Sequence, residues 1–137
     1  MPRKRNSIKK ETKLLVFNKY NKKCAYCGCD LVMTKKESLE TGIANMQIDH
    51  LIAFRNRKYT VEELDHIDNL MPSCQKCNFY KKAKSLETYR KFLKELHTRI
   101  ENTYCVYMGK KYGLIEKINK WNGIFYFELK ENLNEKI

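Results

Sequence analysis

Cys24-Ala25-Tyr26-Cys27 and Cys74-Gln75-Lys76-Cys77-Asn78 enclose Ile48-Asp49-His50 and Asp68-Asn69-Leu70, and this ordered run decides the fold. Each Cys-x-x-Cys pair presents two sulfurs on one tight turn, so two pairs can close a tetrahedral thiolate site for zinc. The hooks, Cys24 with Cys27 and Cys74 with Cys77, have 46 residues between them (28–73). An ion held by both would clamp distant parts of the chain. A closed four-thiolate site keeps no open position for chemistry, so its role would be structural. Cys29 competes for one ligand place, although the two-residue spacing of Cys24 and Cys27 gives the better bite. Cys105 reads as a buried free thiol.

Asp49-His50 lies between the hooks, and Asn78 directly follows the last cysteine. Adjacent residues at a strand end can direct one side chain to a metal and the other to a nearby water. A carboxylate is a hard ligand suited to Mg²⁺ or Mn²⁺, and a neutral imidazole can take a proton from water near neutral pH. The amide oxygen of Asn78, at the start of a helix, could complete a sparse cation site with Asp49. In isolation these residues would read as a surface acid, a satisfied histidine and a helix cap. Their order beside the cysteine hooks gives them weight.

Lys and Arg total 28 of the 137 residues against 16 Asp and Glu, a formal net charge of +12. On so small a chain the natural partner is a polyanion, because each neutralised phosphate releases counterions. Arg55, Arg57 and Lys58 follow His50, and Lys81, Lys82 and Lys84 follow the last cysteine. Both clusters flank the proposed site as candidate phosphate contacts. No apolar run approaches the ~18 residues of a transmembrane helix, and no signal-peptide segment follows the basic start. A cytoplasmic protein without a membrane partner is expected. In that reducing compartment, close-spaced cysteines bind metal rather than form disulfides.

Residues 1–6 read as a basic arm, and Ser7 as the cap of a helix over 8–20 with Leu14, Leu15, Phe17 and Tyr20 on its apolar surface. Gly28 suits the tight turn of a zinc knuckle. Residues 31–41 carry no decisive pattern. Residues 43–49 read as one strand ending at Asp49-His50, and 61–66 as a short helical turn. A helix after Cys77 should bend near Ala83-Lys84-Ser85, and Leu86, Tyr89, Leu93, Leu96 and Ile100 then form a helical stripe. Residues 113–118 and 124–129 read as strands around a Trp121-Asn122-Gly123 turn. The domain boundaries expected are 1–17 for the arm and first helix, 18–85 for the core, and 86–137 for a C-terminal helix and extension.

Cys24-Ala25-Tyr26-Cys27-Gly28, Ile48-Asp49-His50, Asp68-Asn69-Leu70 and Cys74-Gln75-Lys76-Cys77-Asn78 with Lys81, in this order, resemble the zinc-bearing branch of the HNH endonuclease family. The resemblance covers about residues 18–85. It implies an α+β fold, a ββα-metal core stapled by the four-cysteine zinc site; the flanking helices and a C-terminal β-hairpin-like extension complete the expected chain. By the family pattern His50 is the general base, Asp49 and Asn78 hold a catalytic divalent cation, and Asn69 holds the His50 loop by hydrogen bonding. The ion would bind a scissile phosphate oxygen and stabilise the leaving 3′ oxygen.

Three positions depart from the pattern. Asn78 replaces the usual last histidine, which makes an H-N-N variant and favours Mg²⁺ or Mn²⁺ over Zn²⁺. Ala53 stands where a proline is common, and Lys82 where a glycine is often seen. Asp65-His66 is a second Asp-His dipeptide. His66 lies only three positions before Asn69, too close for an intervening hairpin, whereas His50 lies 19 before it. The resulting expectation is a DNA endonuclease of restriction, phage or mobile-element type, homodimeric if it cuts both strands. The alternatives are a non-catalytic zinc-dependent DNA-binding module and an RNA-directed nuclease.

Overall fold

A computed structural model describes residues 4–5, 7–116 and 121–135. The chain divides into two units, Met1–Ser85 with Phe125–Ile137, and Leu86–Ile124.

The first unit opens with α1, Lys10–Lys19. Its N-terminus carries no side-chain cap, so Ser7 does not play the expected part. The buried face is Val16, Phe17 and Tyr20, while Leu14 and Leu15 are exposed. That corrects the expected apolar surface. Asn21 and Lys22 then adopt left-handed φ angles of 56° and 61° and turn the chain into the first cysteine hook. There Cys24 N–H donates to the Cys29 carbonyl (2.8 Å) and Gly28 N–H to the Cys24 carbonyl (2.9 Å). Gly28 has φ +79°, and a Cβ added to it would meet the Tyr126 ring at 3.0 Å. The left-handed conformation favours glycine at that position, and a Cβ would have to push the Tyr126 ring aside.

β1 (Leu31–Val32), α2 (Lys35–Thr41) and β2 (Ala44–Asn45) follow, with β1 and β2 paired in parallel. β3 (Gln47–His50) pairs antiparallel with β4 (Leu70–Ser73), in the register Asp49 to Met71 and His50 to Leu70. The single strand expected over 43–49 is thus two. Residues 44–45 pair with β1 and residues 47–50 with β4, and the chain changes partner at Met46, whose N–H still donates to Val32 (2.9 Å). Between β3 and β4 stand α3 (Val61–Leu64), started by a Thr60–Glu63 capping box, and a 3-10 turn, Ile67–Asn69. Reciprocal capping satisfies two orphan donors at the start of so short a helix. Lys19 Nζ from α1 donates to the carbonyls of Ile67 (2.8 Å) and Leu70 (3.1 Å), tying α1 to the entry of β4. Burial lowers its pKa below the usual lysine range.

α4 (Gln75–Lys81) starts at Cys74, whose thiol accepts the Cys77 N–H, and ends where Lys82 takes φ 53°. In the second unit, α5 (Leu86–Lys94), α6 (Leu96–Glu101) and α7 (Tyr104–Lys111) succeed one another, so the expected stripe is broken at Glu95. Cys105, on α7, is exposed rather than buried.

Among the described residues the C-terminal hairpin is not formed. Residues 113–116 carry no strand, 117–118 lie outside the described residues, and Tyr126–Glu135 is a helix, α8. Phe125 and Phe127 alternate as in a strand, but they flank a helix start. Glu128 accepts the Phe125 N–H (2.9 Å), and the N–H groups of Tyr126 and Phe127 donate to the carbonyls of Tyr26 (3.2 Å) and Ala25 (2.8 Å). The cysteine hook therefore satisfies donors that a helix N-terminus leaves unpaired. Both phenylalanines are buried edge-on to Tyr26, with centroids at 5.7 and 6.3 Å. Among the described residues no helix is long and apolar enough to cross a membrane.

Candidate functional site

The two hooks meet. The Sγ atoms of Cys24, Cys27, Cys29 and Cys74 all lie within 4.8 Å of one another, and those of Cys27 and Cys74 are 3.9 Å apart. Tetrahedral thiolates with Zn–S of about 2.3 Å have sulfurs about 3.8 Å apart, so the cluster can hold a metal ion such as zinc. Cys77 follows on α4, its N–H on Cys74 Sγ (3.4 Å). Cys29 enters because the hairpin bond from Cys24 folds it back over the knuckle. The mutually close set therefore differs from the expected Cys24, Cys27, Cys74 and Cys77, with Cys29 standing in the place of Cys77. Hydrogen bonds from Cys27 and Cys77 pull the Cys24 pKa well below the usual thiol range, and the same contact with Cys24 pushes Cys77 up.

Adjacent to β3 lies a cleft of about 460 Å³ lined by Asp49, His50 and Asn78 together with Arg5, Arg55, Arg57 and Lys82. β3 brings Asp49 and His50 to one rim, and the first turns of α4 bring Asn78 to the other. Asn78 Nδ2 donates to Gln47 Oε1 (2.7 Å), which leaves its oxygen as the atom able to accept a cation. Asp49 is only 6% exposed. Its Oδ2 accepts the Tyr26 hydroxyl (2.5 Å) and pairs with Lys81 Nζ (3.0 Å), so Oδ1 is the oxygen left for a ligand. A carboxylate oxygen and an amide oxygen form a hard donor set that fits Mg²⁺ or Mn²⁺. His50 Nε2 lies 2.8 Å from Asp65 Oδ1, and its ring packs on Phe54 with centroids at 5.2 Å.

Asn69 sits under this rim and uses its whole amide. Its Oδ1 accepts the Ile52 N–H (2.7 Å), and its Nδ2 donates to the carbonyls of Ile52 (3.1 Å) and Leu64 (2.8 Å). Its own carbonyl accepts the Leu51 N–H (2.9 Å). Replacing Asn69 by alanine removes three side-chain hydrogen bonds from a buried position. Unfolding in urea is expected to show a loss of about 2–4 kcal/mol, and a loss below about 0.5 kcal/mol would mean the clamp is idle.

The basic residues divide. Arg55, Arg57 and Lys82 line the cleft, whereas Lys58 and Lys84 are not among its lining residues. Lys81 corrects the expectation of a phosphate contact. It is fully buried, paired with Asp49, and donates to the His50 carbonyl (3.4 Å). A buried ammonium is held by a carboxylate partner, and breaking such a pair is costly. His66 is exposed and caps the 3-10 turn through Nδ1, away from the cleft lining.

Three residues escaped the sequence reading. Arg5 was part of a basic arm, yet it lines the cleft and lies over the Phe54 ring (5.3 Å). Tyr26 lies between the two cysteines of the first hook, and Asp65 belongs to the second Asp-His dipeptide. No local spacing marks any of them.

Residues 24–84 match the model of the HNH endonuclease family. No curated protein and no solved structure matches the chain.

Proposed function

We propose that the protein is a metal-dependent endonuclease that hydrolyses DNA phosphodiester bonds, with His50 as the general base. The observation that carries this reading is the convergence of Asp49, His50 and Asn78 on one arginine-rich cleft. Arg5, Arg55, Arg57 and Lys82 supply the positive field that draws in a phosphodiester backbone. His50 takes the proton from the attacking water. Asp49 and Asn78 would hold the divalent cation, which when bound supplies charge stabilisation to the phosphate and the leaving 3′ oxygen. Lys81 and Tyr26 fix the Asp49 carboxylate from behind, and Asn69 holds the loop that follows His50. Zinc on the cysteine cluster serves structure alone. A homodimer would place two such sites for double-strand cutting.

The test is incubation of supercoiled plasmid with purified protein and Mg²⁺, Mn²⁺ or EDTA. Nicked or linear product in either metal, absent with EDTA, is expected. Intact plasmid bound tightly in every condition would overturn catalysis in favour of a DNA-binding module, and preferential cutting of a matched RNA would overturn the choice of substrate. Arg5→Ala is expected to weaken binding to all DNA sequences alike and to lower the slope of log K against log salt by about 0.9, one phosphate contact. An unchanged slope in fluorescence anisotropy would remove Arg5 from the interface.

A further inference from the structure

The geometry points to Asp65 as the positioning residue that fixes the tautomer and orientation of His50. The inference rests on the reading of His50 as the base, and adds a residue to it. His50 Nε2 and Asp65 Oδ1 are 2.8 Å apart, with side chains only 15% and 26% exposed. An ionised carboxylate only accepts hydrogen bonds, so the ring nitrogen facing it must carry the proton. Neutral His50 is then the Nε2–H tautomer, and Nδ1 keeps the lone pair that can receive a proton from water. The ring is held from a second side by Phe54.

The contact is built by the surrounding backbone. Asp65 closes α3, its N–H on the Val61 carbonyl (2.8 Å), and the capping box of Thr60 and Glu63 fixes the other end of that turn. Asn69 bridges the two partners. It binds Leu51 and Ile52, which follow His50, and the Leu64 carbonyl, which precedes Asp65. One buried amide therefore sets the approach of base and carboxylate from 15 positions apart in sequence. Lys81 donates to the His50 carbonyl, completing the support of the strand end.

Long-range ¹H–¹⁵N correlation spectra of His50 read the tautomer directly. The native protein should show a protonated Nε2 and a bare Nδ1. Asp65→Asn, which can turn its amide to donate, and Asp65→Ala, which offers nothing, should both lose that single tautomer. Plasmid cleavage should fall about 10- to 100-fold in kcat with KM within about twofold, since the group acts through the base. Asp65→Glu should recover part of the rate. If Asp65→Ala loses its dispersed amide spectrum, the isosteric Asp65→Asn carries the comparison. A bare Nε2 in the native protein, or an unchanged tautomer in a folded variant, would overturn the inference. Full cleavage by His50→Ala would instead overturn the choice of base, and the tautomer spectra would still decide whether Asp65 orients the ring.

Discussion

Substituting His50 by alanine is expected to slow plasmid cleavage by about 10²- to 10⁴-fold, the range typical of a positioned general base. Binding of the same DNA should stay within about twofold. The separation follows from placement. His50 shares the cleft with Arg5, Arg55, Arg57 and Lys82, whose charge would draw in phosphate and is untouched by the substitution. The backbone at His50 is held without its ring, through the register with Leu70 and the Lys81 donor to its carbonyl. Truncation should therefore remove the proton acceptor and leave the fold. Gel-shift affinity and single-turnover cleavage measured on one preparation test both halves. Cleavage that survives in His50→Ala and disappears in His66→Ala would show that the wrong dipeptide carries the chemistry. The exposed position of His66 outside the cleft lining argues for the first outcome.

Stripping the cysteine cluster of zinc, by chelation or by Cys24→Ser, should unfold the first unit. Structural zinc sites contribute apparent free energies of about 10–16 kcal/mol in small domains, as large as the about 5–15 kcal/mol that holds a whole domain together. The cluster also does more than cross-link. Its hook gives carbonyls to the first amides of α8, and Ala25 N–H reaches the Pro72 carbonyl of β4 (2.9 Å). Loss of the hook would uncouple α8 and β4 together, and β4 is the partner of the strand bearing Asp49 and His50. Circular dichroism melts with and without chelator measure the effect, and a metal-free protein that melts at the native temperature would refute it. Cobalt(II) substitution then resolves the ligand set. Of Cys29→Ser and Cys77→Ser, the variant that loses one thiolate from the sulfur-to-cobalt charge-transfer band names the fourth ligand.

Much of the candidate site was legible because its signals are short. A Cys-x-x-Cys turn, an Asp-His pair at a strand end and an Asn one step beyond a cysteine are set by a few consecutive dihedrals, which neighbours in sequence largely determine. The strand over 43–49 was half legible, since hydrophobic alternation marks extended chain but not its partner. Hence the switch at Met46 from β1 to β4 pairing went unseen. The C-terminal segment misled for a related reason. Phe125 and Phe127 suit a strand face as well as a helix start, and only the Ala25 and Tyr26 carbonyls, about a hundred positions away, decide for the helix.

The sequence by itself determined the two thiolate hooks, the order of Asp49, His50, Asn69 and Asn78, and the basic charge, because each follows from residue type and local spacing. Tertiary structure alone decided that Lys81 turns inward to Asp49, that Arg5 reaches the cleft, that Cys29 joins the thiols and that Asp65 meets His50. A long or charged side chain has many partners within reach along a chain. Which one it takes depends on the desolvation and geometry that appear only once strands and helices from separate segments have packed.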